Sequence, residues 1–131
     1  RGDVTESHIV WRNSRNAPFV PSAVLLDDLY YLVDDKGIAA CFEAASGKLV
    51  WQQRLGGAFS ASPIAADGKL FFVDEEGTTT VLKPGRQFEV LSKNRLDDPT
   101  FASPAVAHGD LFIRTDRHLY CIGGTERDGP R

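Results

Sequence analysis

A repeat of about forty residues constrains the fold of this chain more than any other feature of its sequence. The stretch from Tyr30 to Trp51 is followed, forty positions later and without a gap, by Leu70 to Leu91 in the same layout. A third copy, Leu111 to Ile122, begins at a shift of 41 positions and returns to a shift of 40. Because a fixed period of this length is typical of proteins built from stacked structural repeats, each copy is interpreted as one supersecondary unit.

Each copy consists of short apolar segments separated by turn residues. In the first copy these segments are Ser22 to Leu26, Leu29 to Val33, Ile38 to Phe42 and Lys48 to Trp51. The second segment is nearly all apolar, which predicts a strand buried on both faces. Gly37 closes the turn after it and can take the positive φ that such turns require. Short strands at this spacing predict an antiparallel meander, and frequent Gly and Pro argue against helices.

We therefore expect an all-β fold, namely an arc of a β-propeller made of four-stranded antiparallel blades. Two blades are complete, at residues 22–51 and 62–91, and a partial blade covers residues 103–122. Residues 8–11 precede the strand at Trp51 by forty positions and are predicted to be the last strand of a preceding blade. After Gly124 the sequence offers no fourth strand. Stacking of such blades hides the apolar faces that one blade leaves exposed.

Composition and charge narrow the functional classes. The net charge of −3 is spread along the sequence without a basic cluster, so no nucleic-acid partner is expected. No apolar run approaches the roughly 18 residues of a membrane-spanning helix. The sequence contains no Met and opens on Arg1, which we interpret as a segment of a longer protein or a processed product.

Residues with reactive or metal-binding side chains lie at predicted turns and strands. Paired acids are expected to be solvated turn residues, because Asp favours turns and the 12-residue calcium-loop pattern does not occur. The histidines lack zinc-ligand spacing and are expected at the surface or in turns. We therefore expect no catalytic residue, no metal site and no cofactor. The residues weighed were Asp34, Asp35, Asp74, Glu75, Glu76, Asp97, Asp98, His8, His108, His118, Thr78, Thr79, Thr80, Ser62 and Ser103.

Two further groups have alternative interpretations. Cys41 and Cys121 occupy equivalent positions in two copies, too far apart in a propeller for a disulfide, and are expected to be buried free thiols. A basic and aromatic group near the end of the chain is either an anion-binding patch or ordinary soluble surface, and the second is expected. This group comprises Arg114, Arg117, Arg127 and Tyr120.

The segment from Cys41 to Trp51, CFEAASGKLVW, resembles the repeat of the pyrroloquinoline-quinone (PQQ)-like β-propeller family, whose pattern is A-x-D-x-x-T-G-K-x-x-W. Ser62-Pro63 and Leu119-Tyr120 fit other elements of that repeat. Two residues depart from this pattern. Glu43 stands where the family has Asp, and Leu91 stands where the next copy would have Trp. The resemblance covers roughly residues 8–123. The family includes quinoprotein dehydrogenases, BamB-type lipoproteins of outer-membrane assembly and other bacterial extracytoplasmic proteins.

The resemblance implies a structural role for the repeat tryptophan, which packs between neighbouring blades in this family. We carry this role onto Trp11 and Trp51, and onto Leu91 at the third equivalent position. Turn glycines are expected to serve the same blade docking. They are Gly37, Gly47 and Gly77.

The resemblance also implies a function. We expect a non-catalytic scaffold or protein-interaction module of a larger periplasmic or cell-envelope protein, with a protein partner at its loop faces or exposed blade edges. Self-association is expected too, because an arc exposes apolar blade faces and an unpaired edge. The alternatives are a fragment of a PQQ-dependent quinoprotein dehydrogenase and the sensor propeller of a signalling protein. No residue is assigned to cofactor binding.

Overall fold

The computed structural model describes residues 2–123, and its regular elements are antiparallel β-strands. They form three sheets in which the strands follow one another in chain order, and we call these sheets blades 1, 2 and 3. Blade 1 contains β1 (Val24–Leu26), β2 (Leu29–Val33), β3 (Ile38–Glu43) and β4 (Leu49–Arg54). Blade 2 contains β5 (Ile64–Ala66), β6 (Lys69–Val73), β7 (Thr78–Leu82) and β8 (Val90–Arg95). Blade 3 contains β9 (Ala105–Ala107), β10 (Asp110–Arg114) and β11 (Leu119–Ile122). The predicted all-β propeller arc is confirmed.

The fourth strands are longer than the sequence pattern predicted. β4 continues past Trp51 to Arg54, and β8 continues past Leu91 to Arg95. Both extensions are polar and exposed, so hydrophobic patterning does not detect them, but their backbones pair with the third strand of the same blade. Each pairing contains a register shift, next to Cys41 in blade 1 and next to Val81 in blade 2.

The segment predicted as a strand of a preceding blade, residues 8–11, is irregular in the structure. A strand needs a neighbour to satisfy its backbone, and none of the described residues pairs with this segment. Val10 is 82% exposed, whereas Trp11 is half-buried against blade 1. The segment therefore resembles β4 in the packing of its tryptophan side chain, whereas its backbone does not form a strand. The predicted absence of a fourth strand after Gly124 concerns residues outside the described range.

The main core lies between blades 1 and 2. Because alternate side chains of a strand point to opposite faces, Tyr31, Val33 and Cys41 face blade 2 while Leu70 and Phe72 face blade 1. β2 also contributes to a second cluster on the far side of blade 1, which confirms that it is buried on both faces. A third cluster joins blade 2 to blade 3 through Ala61, Val73 and Ile113.

Candidate functional site

The side chain of Trp51 connects blade 1 to blade 2. Its Nε1 donates a hydrogen bond of 3.0 Å to the carbonyl of Gly85, in the turn between β7 and β8. The indole meets the Phe88 ring edge-on with 5.2 Å between centroids and lies 6.1 Å from the Tyr31 ring. The Gly85 amide in turn donates to the Tyr31 hydroxyl at 2.8 Å. Polar and aromatic contacts from blade 1 thus hold one turn of blade 2.

An ion pair accompanies this contact on the surface. Arg86 of the same turn lies 2.8 Å from a Glu43 carboxylate oxygen and 3.3 Å from a carboxylate oxygen of Asp28, both in blade 1. The hydrogen bond from Arg86 lowers the pKa of Glu43. All three side chains are solvent-accessible, so the pair orients the turn more than it stabilises the fold.

Trp11 makes the same kind of contact one blade earlier. Its Nε1 donates to the Ala44 carbonyl at 2.7 Å, in the turn between β3 and β4, and its ring meets Tyr30 edge-on. The turn fits closely, because a Cβ at Gly47 would lie 2.5 Å from Cδ2 of the indole. Trp11 and Trp51 therefore contact equivalent turns in successive blades.

In the pairing of β7 with β8, Ser92 lies opposite Val81 as Trp51 lies opposite Cys41, so Ser92 and not Leu91 occupies the position of the tryptophan. Leu91 is the unpaired residue at the register shift of β8, and neither residue fills the space that the indole fills one blade earlier. The Leu91 side chain is 45% exposed, and a cavity of about 530 Å³ remains between blades 2 and 3. We call this cavity the inter-blade groove. Its lining comprises Lys69, Phe71, Thr79, Val81, Leu91, Ser92, Asn94, Leu96, Leu111 and Ile122.

Gly37 and Gly77 lie where a blade turn approaches the connection to the next blade. Both have positive φ, 85° and 89°. A Cβ at Gly37 would come within 2.6 Å of the Gly57 carbonyl oxygen, and one at Gly77 within 2.5 Å of the Asp98 carbonyl oxygen. Backbone packing therefore excludes a side chain at both positions.

The acids that follow β2 and β6 differ from the solvated residues that were expected. Asp34 is 9% exposed and Asp74 is 8% exposed. The Asp34 carboxylate accepts hydrogen bonds from the backbone amides of Lys36 and Ile38, which closes the hairpin. Asp74 does the same in blade 2. Their turn location was predicted correctly, but their burial was not, because the hairpin folds over the carboxylate.

Asp98 belongs to a polar cluster that the sequence pattern did not predict. This carboxylate is 1% exposed and accepts hydrogen bonds from Thr115 Oγ1 at 2.7 Å and Arg117 Nε at 3.1 Å. His118 Nδ1 lies 2.8 Å from it. Hydrogen bonding, chiefly with His118 and Thr115, lowers the pKa of Asp98 to about 2. His118 was expected to be an ordinary surface histidine; its ring is largely exposed but is oriented by Asp98.

The cysteines and the basic group also differ from expectation. Cys41 is a buried free thiol, and burial raises its pKa to about 11. Cys121 is free but exposed, because none of residues 2–123 covers that face of blade 3. In the basic group Arg117 faces Asp98, and Arg127 lies outside the described residues.

Serines near the first strands form an inter-blade series of hydrogen bonds. The Ser22 amide donates to Ser62 Oγ at 2.8 Å, and the Ser62 amide donates to Ser103 Oγ at 2.9 Å. The serine at one repeat position thus donates its amide to the serine at the equivalent position of the next blade. The serines recur in the sequence at spacings of 40 and 41 residues, but only the fold shows this contact.

Nε1 of Trp11 and Nε1 of Trp51 each donate to a carbonyl of a neighbouring turn. Within residues 2–123, no three His, Cys, Asp or Glu side chains converge to hold a metal. The same range contains no helix long and apolar enough to cross a membrane.

Comparisons with known proteins agree with the repeat. The crystal structure of BamB from Moraxella catarrhalis superposes with a TM-score of 0.66 at 13% sequence identity, covering 82% of this chain. The chain spans about a third of that structure, 33% of its length. No curated protein matched the sequence. The family profile described as outer membrane protein assembly factor BamB matches residues 3–88. Because the matched residues make up more than half of the chain, this protein belongs to that BamB family of PQQ-like repeat propellers.

Proposed function

We propose that this chain is a non-catalytic protein-interaction module of the bacterial cell envelope. Its partner segment is an extended polypeptide that places an aromatic side chain in the inter-blade groove. Membership of the outer membrane assembly factor family supports a role in protein assembly. The observation that carries the proposal is the missing indole at Ser92, which lies opposite Val81 as Trp51 lies opposite Cys41.

The groove corresponds to a site that this same chain fills elsewhere with aromatic groups. Between blades 1 and 2, the indole of Trp51 packs on Phe88. Between blades 2 and 3, Ser92 takes the place of the tryptophan, and about 530 Å³ remains open. A concave apolar site of this size is typical of one that receives a buried anchor side chain. Phe71 and Leu111 line it from opposite blades.

The strand beside the groove offers a backbone partner. β8 is the last strand of blade 2, and all six of its residues are exposed. Its outer edge is free of strand partners among the described residues, so it can pair with an added strand. Ser92 and Asn94 project from β8 into the groove lining, where they can hydrogen-bond the backbone around the anchor.

The test is a titration of the labelled protein with an acetylated Val-Trp-Val peptide amide, followed by the backbone amide resonances of Ser92 and Asn94. Ser92→Trp fills the groove and is expected to abolish peptide binding. Ser92→Ala is the matched control, since it keeps the groove open and should still bind. Equal binding by Ser92→Trp, or shifts confined to other strands, would overturn the proposed site.

The envelope location rests on the family and is tested separately. Fractionation of the host cells with an antibody against blade 1 should recover the protein with the periplasmic or envelope fraction. Recovery with the cytoplasmic fraction would contradict the location while leaving the groove unaffected.

A further inference from the structure

The end face of blade 3 matches the surface on which a following blade packs. Leu111 and Ile113 point toward blade 2, so the intervening Phe112 points away from it. Leu119 and Cys121 share the face of Phe112, because Cys121 pairs with Phe112 and Leu119 lies two residues before it. Leu119 is 71% exposed. This outer face, together with the free edge of β11, is here called the trailing end.

The start of the chain carries the opposite half of such an interface. Phe19 is 96% exposed, although its equivalent forty residues later, Phe59, is only 2% exposed between blades 1 and 2. Val10 is 82% exposed in a segment that runs without a strand partner among residues 2–123. This region, residues 9–22, is called the leading end.

The pairing inside blade 1 predicts how the two ends fit. β3 places Cys41 opposite Trp51 and Ala39 opposite Gln53. Applied to the repeat, the same register places Cys121 opposite Trp11 and Leu119 opposite Asn13. The Trp11 indole already holds the turn of blade 1 that follows it, as Trp51 holds the turn of blade 2. The backbone of residues 9–14 is therefore positioned as the fourth strand of a blade ahead of blade 1.

The serine hydrogen bonds also run in one direction along the chain, from each blade to the next. Ser22 donates to Ser62, and Ser62 donates to Ser103. Within the described residues, the Ser103 amide has no acceptor and Ser22 Oγ has no donor. A head-to-tail contact brings these two groups together and continues the series.

We propose that two copies of this chain associate head to tail, with residues 9–14 of one copy forming the fourth strand beside β11 of the other. Ser22 of the added copy then accepts the Ser103 amide. This contact is heterologous and can close into a ring. The inference goes beyond the proposed function, because it uses the edge of β11 and not the inter-blade groove.

Sedimentation velocity of the chain from about 1 to about 100 μM provides the first test, since interfaces of standard size bind with dissociation constants at or below the micromolar range. The weight-average mass is expected to rise about twofold with concentration. Replacing both Arg12 and Asn13 with Pro is expected to hold the mass at that of one copy. Of two consecutive residues in a strand, one points its N–H at the neighbouring strand, and a Pro at that position has no N–H to donate. The matched control, Arg12→Thr with Asn13→Thr, keeps the N–H groups and should still associate.

A cross-link tests the register. Copies carrying Asn13→Cys are mixed with copies carrying Leu119→Cys, both with Cys121→Ser, and oxidised in air. Directly opposed strand residues lie within disulfide reach, so a covalent dimer of the two different copies is expected. Lys36→Cys replaces Asn13→Cys in the control, which should remain uncross-linked. A wild-type chain of constant single-copy mass would overturn the proposal, and so would association without the Asn13–Leu119 cross-link.

The two proposals fail separately. Ser92→Trp should block the groove and leave self-association unchanged, because Trp51 of blade 1 packs beside a blade 2 whose fourth strand is complete. The double proline variant should lose self-association and still bind the Val-Trp-Val peptide.

Discussion

At the scale of single residues, a buried carboxylate supports the hairpin of every blade, but the chain supplies it from different positions. In blades 1 and 2 it comes from the turn itself, as with Asp74. In blade 3 the equivalent position is Thr115, and the carboxylate comes from Asp98 in the preceding connection. The position of Asp98 in the earlier repeat is Gly57, where a Cβ would lie 2.8 Å from an Asp74 oxygen. Between blades 2 and 3, Asp74 is thus replaced by Thr115 and Gly57 by Asp98, and the carboxylate stays beside the hairpin.

The Asp98 cluster predicts a pH dependence of stability. Its folded pKa is lowered from 3.8 to about 2, so its contribution is complete above the unfolded value and is lost as pH falls toward 2. Thermal unfolding of the wild type should therefore show a decline in Tm over this window. Asp98→Asn should unfold at lower temperature at pH 6 and show a shallower decline. Parallel Tm profiles for the two proteins would show that Asp98 does not act in this way.

Gly77 predicts a strong sensitivity to one added methyl group. Gly77→Ala combines a left-handed backbone, φ 89°, with a contact of 2.5 Å to the Asp98 carbonyl oxygen. We expect a loss of about 3 kcal/mol in unfolding free energy. Gly68→Ala is the control: its φ is 65° with nothing within 4 Å, so the strain alone should cost about 1 kcal/mol. Equal losses in urea unfolding would rule out the close approach.

At the scale of elements, each interface between blades combines an apolar face with an anchored turn. Trp51 performs the second role between blades 1 and 2. Trp51→Ala is expected to lower the unfolding free energy by about 3 kcal/mol, since a large aromatic group is removed from a packed contact. Trp51→Phe keeps a ring and should lose less. A urea midpoint for Trp51→Ala that corresponds to a loss under about 1 kcal/mol would contradict the docking role.

Ser92→Trp tests the same kind of contact at the next interface, between blades 2 and 3. An indole at this position should fill part of the groove and raise the unfolding free energy by about 1 kcal/mol, as cavity filling commonly does. Ser92→Ala leaves the groove open and should not raise the unfolding free energy. A destabilised Ser92→Trp would show that the groove does not accept an aromatic group in this geometry.

The sequence predicted local features better than contacts between distant segments. Turn glycines such as Gly37 and the apolar β2 were identified because each signal lies within one hairpin. Residues 8–11, predicted as a strand, are irregular in the single chain, since their pattern favours a strand but pairing needs a neighbour. Asp98 was missed because its partners lie in another blade and approach it only after folding. Cys121 was assigned to the interior by its equivalence with Cys41, which ignored that a blade face is buried only when another blade covers it.

At the scale of the whole molecule, the three blades form an arc whose two ends differ. The leading end offers an unpaired segment and an exposed Phe19, and the trailing end offers the edge of β11. The chain spans about a third of the BamB structure it resembles, 33% of its length. The arc therefore presents surfaces that are internal contacts in a closed propeller, which is why both proposals concern association with polypeptide.

The central claim is that successive blades pack face to face with a tryptophan held between them, and a nuclear Overhauser spectrum of the labelled chain tests it most directly. The account predicts cross-peaks from the Trp51 indole N–H to the α-protons of Gly85 and to the ring of Phe88, because Nε1 lies 3.0 Å from the Gly85 carbonyl oxygen. An indole N–H that gives cross-peaks only to blade 1 and exchanges rapidly with water would contradict the account.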